Sequence, residues 1–174
     1  ALEQYARSLP LKHRICQLFI MNILGNKSFV PVEKDYLPEA YIFCSYNLSE
    51  NPGEILDFTD SIRNYYFENN IPSPFLALDQ EGGLVNRLKI VSGPLPSPKR
   101  VAECLSIHDA EELYKSQALQ MKALGFDVNL APVVEVETSE NKEFLSGRSF
   151  GNLEQVNQFG NIFIRAFKDC GVFT

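Results

Sequence analysis

The apolar positions of this chain fall into short dense runs separated by longer stretches in which they recur at helical spacing. Residues 2–11 read as a short helix, and the run over residues 15–23, closed by Gly25 and Asn26, reads as a first strand. Residues 32–39 suggest a loop or weak helix. The next run, Ala40-Tyr41-Ile42-Phe43-Cys44, carries no charged position, as in a strand covered on both faces. A helix then has an explicit start: Asn51 is placed as N-cap, Pro52 takes the first helical position, and Glu54 falls where it reaches back to the cap. Behind these, Ile55, Phe58, Ile62 and Tyr65 form one apolar stripe.

The same alternation continues downstream. Phe75-Leu76-Ala77-Leu78 is a third strand, residues 93–98 form a proline-rich rigid loop, and a helix runs from about Asp109 to Leu124. Gly125 ends that helix and residues 126–131 give a fourth strand. Asn152 and Gln155 make another cap pair, ahead of Val156, Phe159, Phe163, Ala166 and Cys170 on one face. Cys170-Gly171-Val172-Phe173 repeats the helix, glycine, strand order and begins a fifth strand. Strands alternating with helices imply right-handed βαβ units and a parallel sheet. Four units make half of a (β/α)8 barrel, which usually needs about 250 residues, or nearly all of an open doubly wound sheet. Periodicity does not choose between the two, although no Gly-x-Gly-x-x-Gly pattern follows the first strand.

Composition narrows the classes. The chain has 174 residues, 45% hydrophobic and 22% charged, enough for one sizeable core. A net charge of -6 without a basic cluster argues against nucleic acid as a partner. No apolar run approaches the roughly 18 residues of a membrane span. Cys16, Cys44, Cys104 and Cys170 are widely spaced with no Cys-x-x-Cys pair, so neither a zinc site nor a disulfide framework is expected. Free thiols lean toward a reducing compartment, the cytoplasm, with export or envelope attachment as the alternative.

The candidate chemistry gathers where the third strand ends, in Asp79-Gln80-Glu81-Gly82-Gly83-Leu84-Val85-Asn86-Arg87. Sites in parallel α/β folds lie at the carboxyl ends of strands. Asp79 and Glu81, two apart, suggest a paired-carboxylate site for acid/base work or a hard cation, or else a ligand contact from Asp79 and a turn closed by Glu81. Arg87 lies eight residues beyond Asp79, and its planar fork suits sugar hydroxyls or a carboxylate. Arg148, between Gly147 and Ser149 in a loop after the fourth strand, places a second guanidinium at a strand end. Glu135 and Glu137 alternate with valines and are weaker candidates. His13 and His108 are poorly placed as bases, and no nucleophile with a base partner can be assembled.

Three blocks, Asp79 to Arg87, Gly125-Phe126-Asp127-Val128-Asn129-Leu130-Ala131-Pro132-Val133, and Gly147-Arg148-Ser149-Phe150-Gly151, resemble in order and spacing the β-N-acetylhexosaminidases of glycoside hydrolase family 3. The resemblance implies a (β/α)8 TIM-type barrel. Residues 1–174 would then be part of the family's N-terminal barrel domain, holding its first four βα units and the start of strand five. The implied activity is that of a retaining exo-β-N-acetylglucosaminidase on peptidoglycan- or chitin-derived glycans, with no cofactor and no metal. Asp79 and Arg87 match positions that hold hydroxyls of a terminal N-acetylglucosamine, and Arg148 matches a third substrate-binding arginine. Leu84 departs from the basic residue common at its position. The family's general acid/base loop and aspartate nucleophile follow the fifth strand and are expected after Thr174, so no catalytic residue is expected in this chain. The expectation is therefore the substrate-binding half of an enzyme whose other partner is the remainder of the same barrel. A non-catalytic sugar-binding module and a family 3 β-glucosidase are the alternatives.

Overall fold

The structure, a computed structural model, describes residues 2–33 and 36–174. Two short helices open it, α1 (Leu2–Ser8) and α2 (Leu11–Cys16), followed by strands β1 (Ile20–Asn22) and β2 (Ala40–Phe43). Helix α3 (Pro52–Glu68) leads to β3 (Phe75–Leu78), and a small hairpin of β4 (Gln80–Gly82) and β5 (Val85–Asn86) follows at once. Helices α4 (Lys89–Ser92), α5 (Pro98–Cys104) and α6 (Ile107–Ala123) precede β6 (Val128–Asn129). The chain closes with α7 (Lys142–Leu145) and α8 (Leu153–Asp169).

The four longer-range strands form one parallel sheet in the order β1-β2-β3-β6, and Val128 is bridged in parallel to Phe173 on its far side. Thr174 follows that bridge as an exposed residue outside any strand. Each successive strand is thus added to the same edge. A doubly wound sheet reverses its strand order part-way; this one does not, and the topology is that of a TIM-type barrel wall with its fifth strand beginning.

Register explains the core. Tyr41 aligns with Leu76 and Phe43 with Leu78, so these side chains share the face against the helices, and Phe43, Leu76 and Leu78 are fully buried. Phe43 meets Phe58 of α3 at 5.5 Å and Phe126 at 5.0 Å. Helices α6 and α8 join through Tyr114 and Phe163, whose rings lie 4.7 Å apart. Burying each such ring or leucine stabilises the fold by about 1.5–3 kcal/mol. The opposite face is open: Ile20, Phe75 and Phe173 are 51%, 38% and 64% exposed, and the Phe75 and Phe173 rings touch at 5.8 Å.

Both N-caps form, but Glu54 does not reach back to Asn51: its carboxylate accepts from Ser49 Oγ at 2.7 Å, and the Asn51 amide donates to that same hydroxyl at 3.1 Å. Asn51 Oδ1 accepts from the Gly53 amide at 2.9 Å, and Asn152 and Gln155 close a reciprocal box at 3.0 Å in both directions. Other boundaries differ. Residues 15 and 16 belong to α2 rather than to the first strand, which is only three residues long, because one largely apolar run spans a helix end, a turn and a strand. Tyr66, not Tyr65, is the fully buried tyrosine of α3, its hydroxyl donating to the Pro38 carbonyl at 3.0 Å. The fourth strand is two residues long rather than six. Helix α5 occupies what reads as the end of a proline-rich loop; Ser97 caps it and Pro98 takes its first turn. Among the described residues of 32–39 there is no helix, and Lys34 and Asp35 lie outside the described residues.

Candidate functional site

Leu78 ends β3 with its side chain among the helices, and Asp79 follows at the sheet's carboxyl edge. Asp79 Oδ2 accepts from Arg87 Nη2 at 3.1 Å, and the two side chains remain 24% and 31% exposed. The Arg87 Nε is buried and meets no acceptor. The hairpin β4–β5 brings the pair together: it reverses the chain between the two residues, so that eight positions of separation become one contact.

Glu81 does something different from Asp79. Its carboxylate, 3% exposed, accepts from Arg148 Nε at 2.9 Å on one oxygen and from Arg148 Nη2 at 2.7 Å on the other. This is the two-point carboxylate–guanidinium fork. Glu81 holds the Arg148 guanidinium in its charged form more firmly than usual, and the nearby Asp79 charge adds to the effect. The two carboxylates are therefore not a bare catalytic pair. Each is matched with its own guanidinium, and the strand end carries two carboxylates and two guanidiniums side by side.

A buried amide network fixes the backbone between them. Asn129 on β6 clasps the Gln80 peptide, its Oδ1 accepting from Gln80 N at 2.9 Å and its Nδ2 donating to Gln80 O at 3.1 Å. The side chain thereby imitates a strand neighbour where the β3–β6 ladder stops. Gln80 in turn donates from Nε2 to Asn86 Oδ1 at 2.8 Å and accepts from the Leu88 amide at 3.1 Å, so the hairpin's two arms are tied on both sides of Arg87. Gln80 and Asn129 are fully buried, and such groups persist only when hydrogen-bonded.

Two glycines are sterically required at the tip. Gly82 and Gly83 have φ of +94° and +59°, and a Cβ on Gly83 would lie 2.7 Å from Ser97 Cβ. The 95–97 segment passes directly over them, with the Gly83 amide donating to Leu95 O at 3.1 Å. Helix α5 continues from this segment and braces the Arg148 loop, the Lys99 amide donating to Gly147 O at 3.3 Å. Lys99 Nζ also grips Glu137 at 2.7 and 2.9 Å. Glu135 accepts from Asn141 Nδ2 at 2.8 Å, so both of these carboxylates serve the loop's own structure.

Asp79, Arg87 and Arg148 thus converge at one strand end, and the histidines do not join them. His13, on α2, lines a cavity of about 250 Å³ at the opposite end of the sheet, between Tyr5 and Asn69. His108 is exposed in the first turn of α6. Among the described residues, no group of three or more His, Cys, Asp or Glu is arranged to hold a metal. The amide clasp escapes a reading of the sequence by spacing, yet it leaves a trace: Asn129 is a polar residue inside an apolar run.

The family model described as "Glycosyl hydrolase family 3 N terminal domain" matches residues 19–174. The chain belongs to glycoside hydrolase family 3. A protein named Beta-hexosaminidase LpqI from Mycobacterium tuberculosis is 29% identical over 99 residues, which are 56% of this chain and 26% of that protein. A Beta-hexosaminidase from Hydrogenovibrio crunogenus is 24% identical over 160 residues, 88% of this chain and 44% of that one. The chain therefore spans less than half the length of these curated relatives. The solved structure of a family 3 β-N-acetylglucosaminidase from Paenibacillus sp. FPU-7 superposes with a TM-score of 0.85 at 23% identity, covering 95% of this chain and 32% of that one. That likeness shows the family 3 barrel fold.

Proposed function

We propose that the complete protein is a retaining exo-β-N-acetylglucosaminidase that removes terminal N-acetylglucosamine from peptidoglycan- or chitin-derived glycans, and that the residues described above form the wall that grips the sugar. The observation that carries this reading is the Asp79–Arg87 pair at the sheet's carboxyl edge, partly exposed and with hydrogen-bonding capacity left over, in a chain of family 3. The names of the relatives, β-hexosaminidases and a β-N-acetylglucosaminidase, support the choice of sugar. Asp79 accepts from one sugar hydroxyl and Arg87 donates to its neighbour, so the ring is oriented before reaction. Arg148 supplies a third contact. Each charge-assisted hydrogen bond contributes on the order of 1.5–3 kcal/mol.

The general acid/base and the nucleophile belong, on this proposal, to the remainder of the barrel, in sequence that follows Thr174. The exposed apolar side chains Ile20, Phe75 and Phe173 on the open face of the sheet support the existence of further strands that cover them. Cytoplasmic residence is favoured by four cysteines that are all free, one of them exposed. The test is hydrolysis of an aryl N-acetylglucosaminide by the complete protein. Turnover with release of the β-anomer first is expected; equal turnover of the aryl glucoside would reassign the substrate, and sugar binding without turnover would make the protein a binding module.

A further inference from the structure

We infer that Glu81 is a positioning residue for the sugar site, acting only through Arg148: it fixes the plane of that guanidinium so that the edge it does not occupy faces the Asp79–Arg87 pair. The inference rests on reading Arg148 as a sugar-binding arginine, and it goes beyond that reading by assigning a role to a carboxylate that never meets the sugar.

Four observations carry it. Glu81 is 3% exposed, so its carboxylate is withdrawn from the solvent-facing site, whereas Arg148 is 33% exposed and reaches it. Both carboxylate oxygens are occupied by one guanidinium, at 2.7 and 2.9 Å. Those two bonds use Nε and Nη2 of Arg148, which leaves Nη1 free of Glu81 and directed away from it in the plane of the fork. Finally, the base of Glu81 is immobile, since the preceding peptide is clasped by Asn129 and the following Gly82 lies beneath the 95–97 segment. A long arginine on a loop loses rotamer freedom when it binds. Glu81 imposes that loss during folding rather than at sugar binding, so the guanidinium meets the sugar already placed and affinity rises by the ordering cost avoided.

A structural ion pair alone would predict something else. It would lower the folded fraction when broken and leave the folded molecules with native affinity for the sugar. The positioning role predicts a loss in affinity that disappears when Arg148 is already gone.

The experiment is a double-mutant cycle in the complete protein with Glu81→Gln and Arg148→Met, run on whichever aryl glycoside the wild type hydrolyses best. Glu81→Gln is expected to lower kcat/KM by about tenfold to a hundredfold, chiefly through KM. In the Arg148→Met background the same change is expected to have less than a twofold effect. Equal losses in both backgrounds, or an unchanged KM in Glu81→Gln, would overturn the inference. Hydrolysis of a glucoside in place of the N-acetylglucosaminide would defeat the substrate assignment alone, since the cycle reads the same on either sugar. A second readout needs no turnover. The Arg148 Nε–H resonance should be slowly exchanging in the wild type and lost to fast exchange in Glu81→Gln; a resonance already in fast exchange in the wild type would refute the positioning role even in an inactive protein.

Discussion

Strand β3 has an arginine–aspartate ion pair at each of its ends, and the two pairs are built differently. At the amino end, Arg63 on α3 donates to Asp127 at 3.0 Å and to the Gly125 carbonyl at 2.5 Å, while the same Asp127 oxygen accepts from the Leu76 amide at 3.0 Å. Every partner there is another part of the fold. At the carboxyl end, Asp79 and Arg87 share one hydrogen bond of 3.1 Å, and Arg87 Nε has no acceptor at all. Exposure does not distinguish the pairs, at 28% and 26% against 31% and 24%. Residue type and exposure are alike at the two ends; incomplete internal hydrogen bonding is what sets the Asp79–Arg87 pair apart.

The contrast can be broken by mutation. Asp79→Ala is expected to have the largest effect, a fall in kcat/KM of at least about a hundredfold from the lost hydroxyl contact and the released Arg87, with the thermal midpoint nearly unchanged; steady-state kinetics and a melting scan check both halves. Asn129→Ala comes next and acts on both properties at once. It leaves the Gln80 peptide buried without its clasp, so stability should fall by about 1–3 kcal/mol in urea titration, and kcat/KM of the folded protein should fall as the Asp79–Glu81 backbone loosens. Arg63→Met should cost about 1–2 kcal/mol of stability and leave kcat/KM per folded molecule intact. A loss of sugar affinity in that variant would erase the distinction between the two ends. The smallest effect belongs to Glu111→Gln on α6. Lys115 holds the Glu111 carboxyl below its usual range, but the pair is solvated and its loss should leave the melting curve superimposable on the wild type.

What the sequence reveals follows the range of each interaction. The caps Asn51 and Asn152 are legible because their partners lie two or three residues away. The Asp79–Arg87 pair is legible because eight residues of turn-forming sequence separate it. Helix α5 leaves a local signal in Ser97-Pro98, a cap followed by a proline at the first helical position, which the surrounding prolines obscure. The end of α2 leaves none, since Ile15, Leu18, Phe19 and Ile20 are equally apolar whether helix, turn or strand. The Glu81–Arg148 fork and the Asn129 clasp join residues 67 and 49 positions apart. Spacing along the chain carries no information about such contacts; only the parallel stacking of β3 beside β6 creates them. Strand order likewise decides the barrel against the doubly wound sheet, and strand order is a property of pairing rather than of pattern.

The 67 residues between Glu81 and Arg148 also set a clock. A ribosome adding about 5–20 residues per second needs roughly 3–13 s to cover that distance. During that interval the nascent chain carries the Glu81 carboxylate without the guanidinium that neutralises it. Strands β1 to β3 have by then been made, but β6 and its Asn129 have not. This strand edge is therefore among the last parts of the segment to be completed during synthesis, and a pause in translation between residues 81 and 148 would prolong the stage at which the Glu81 carboxylate has no guanidinium partner.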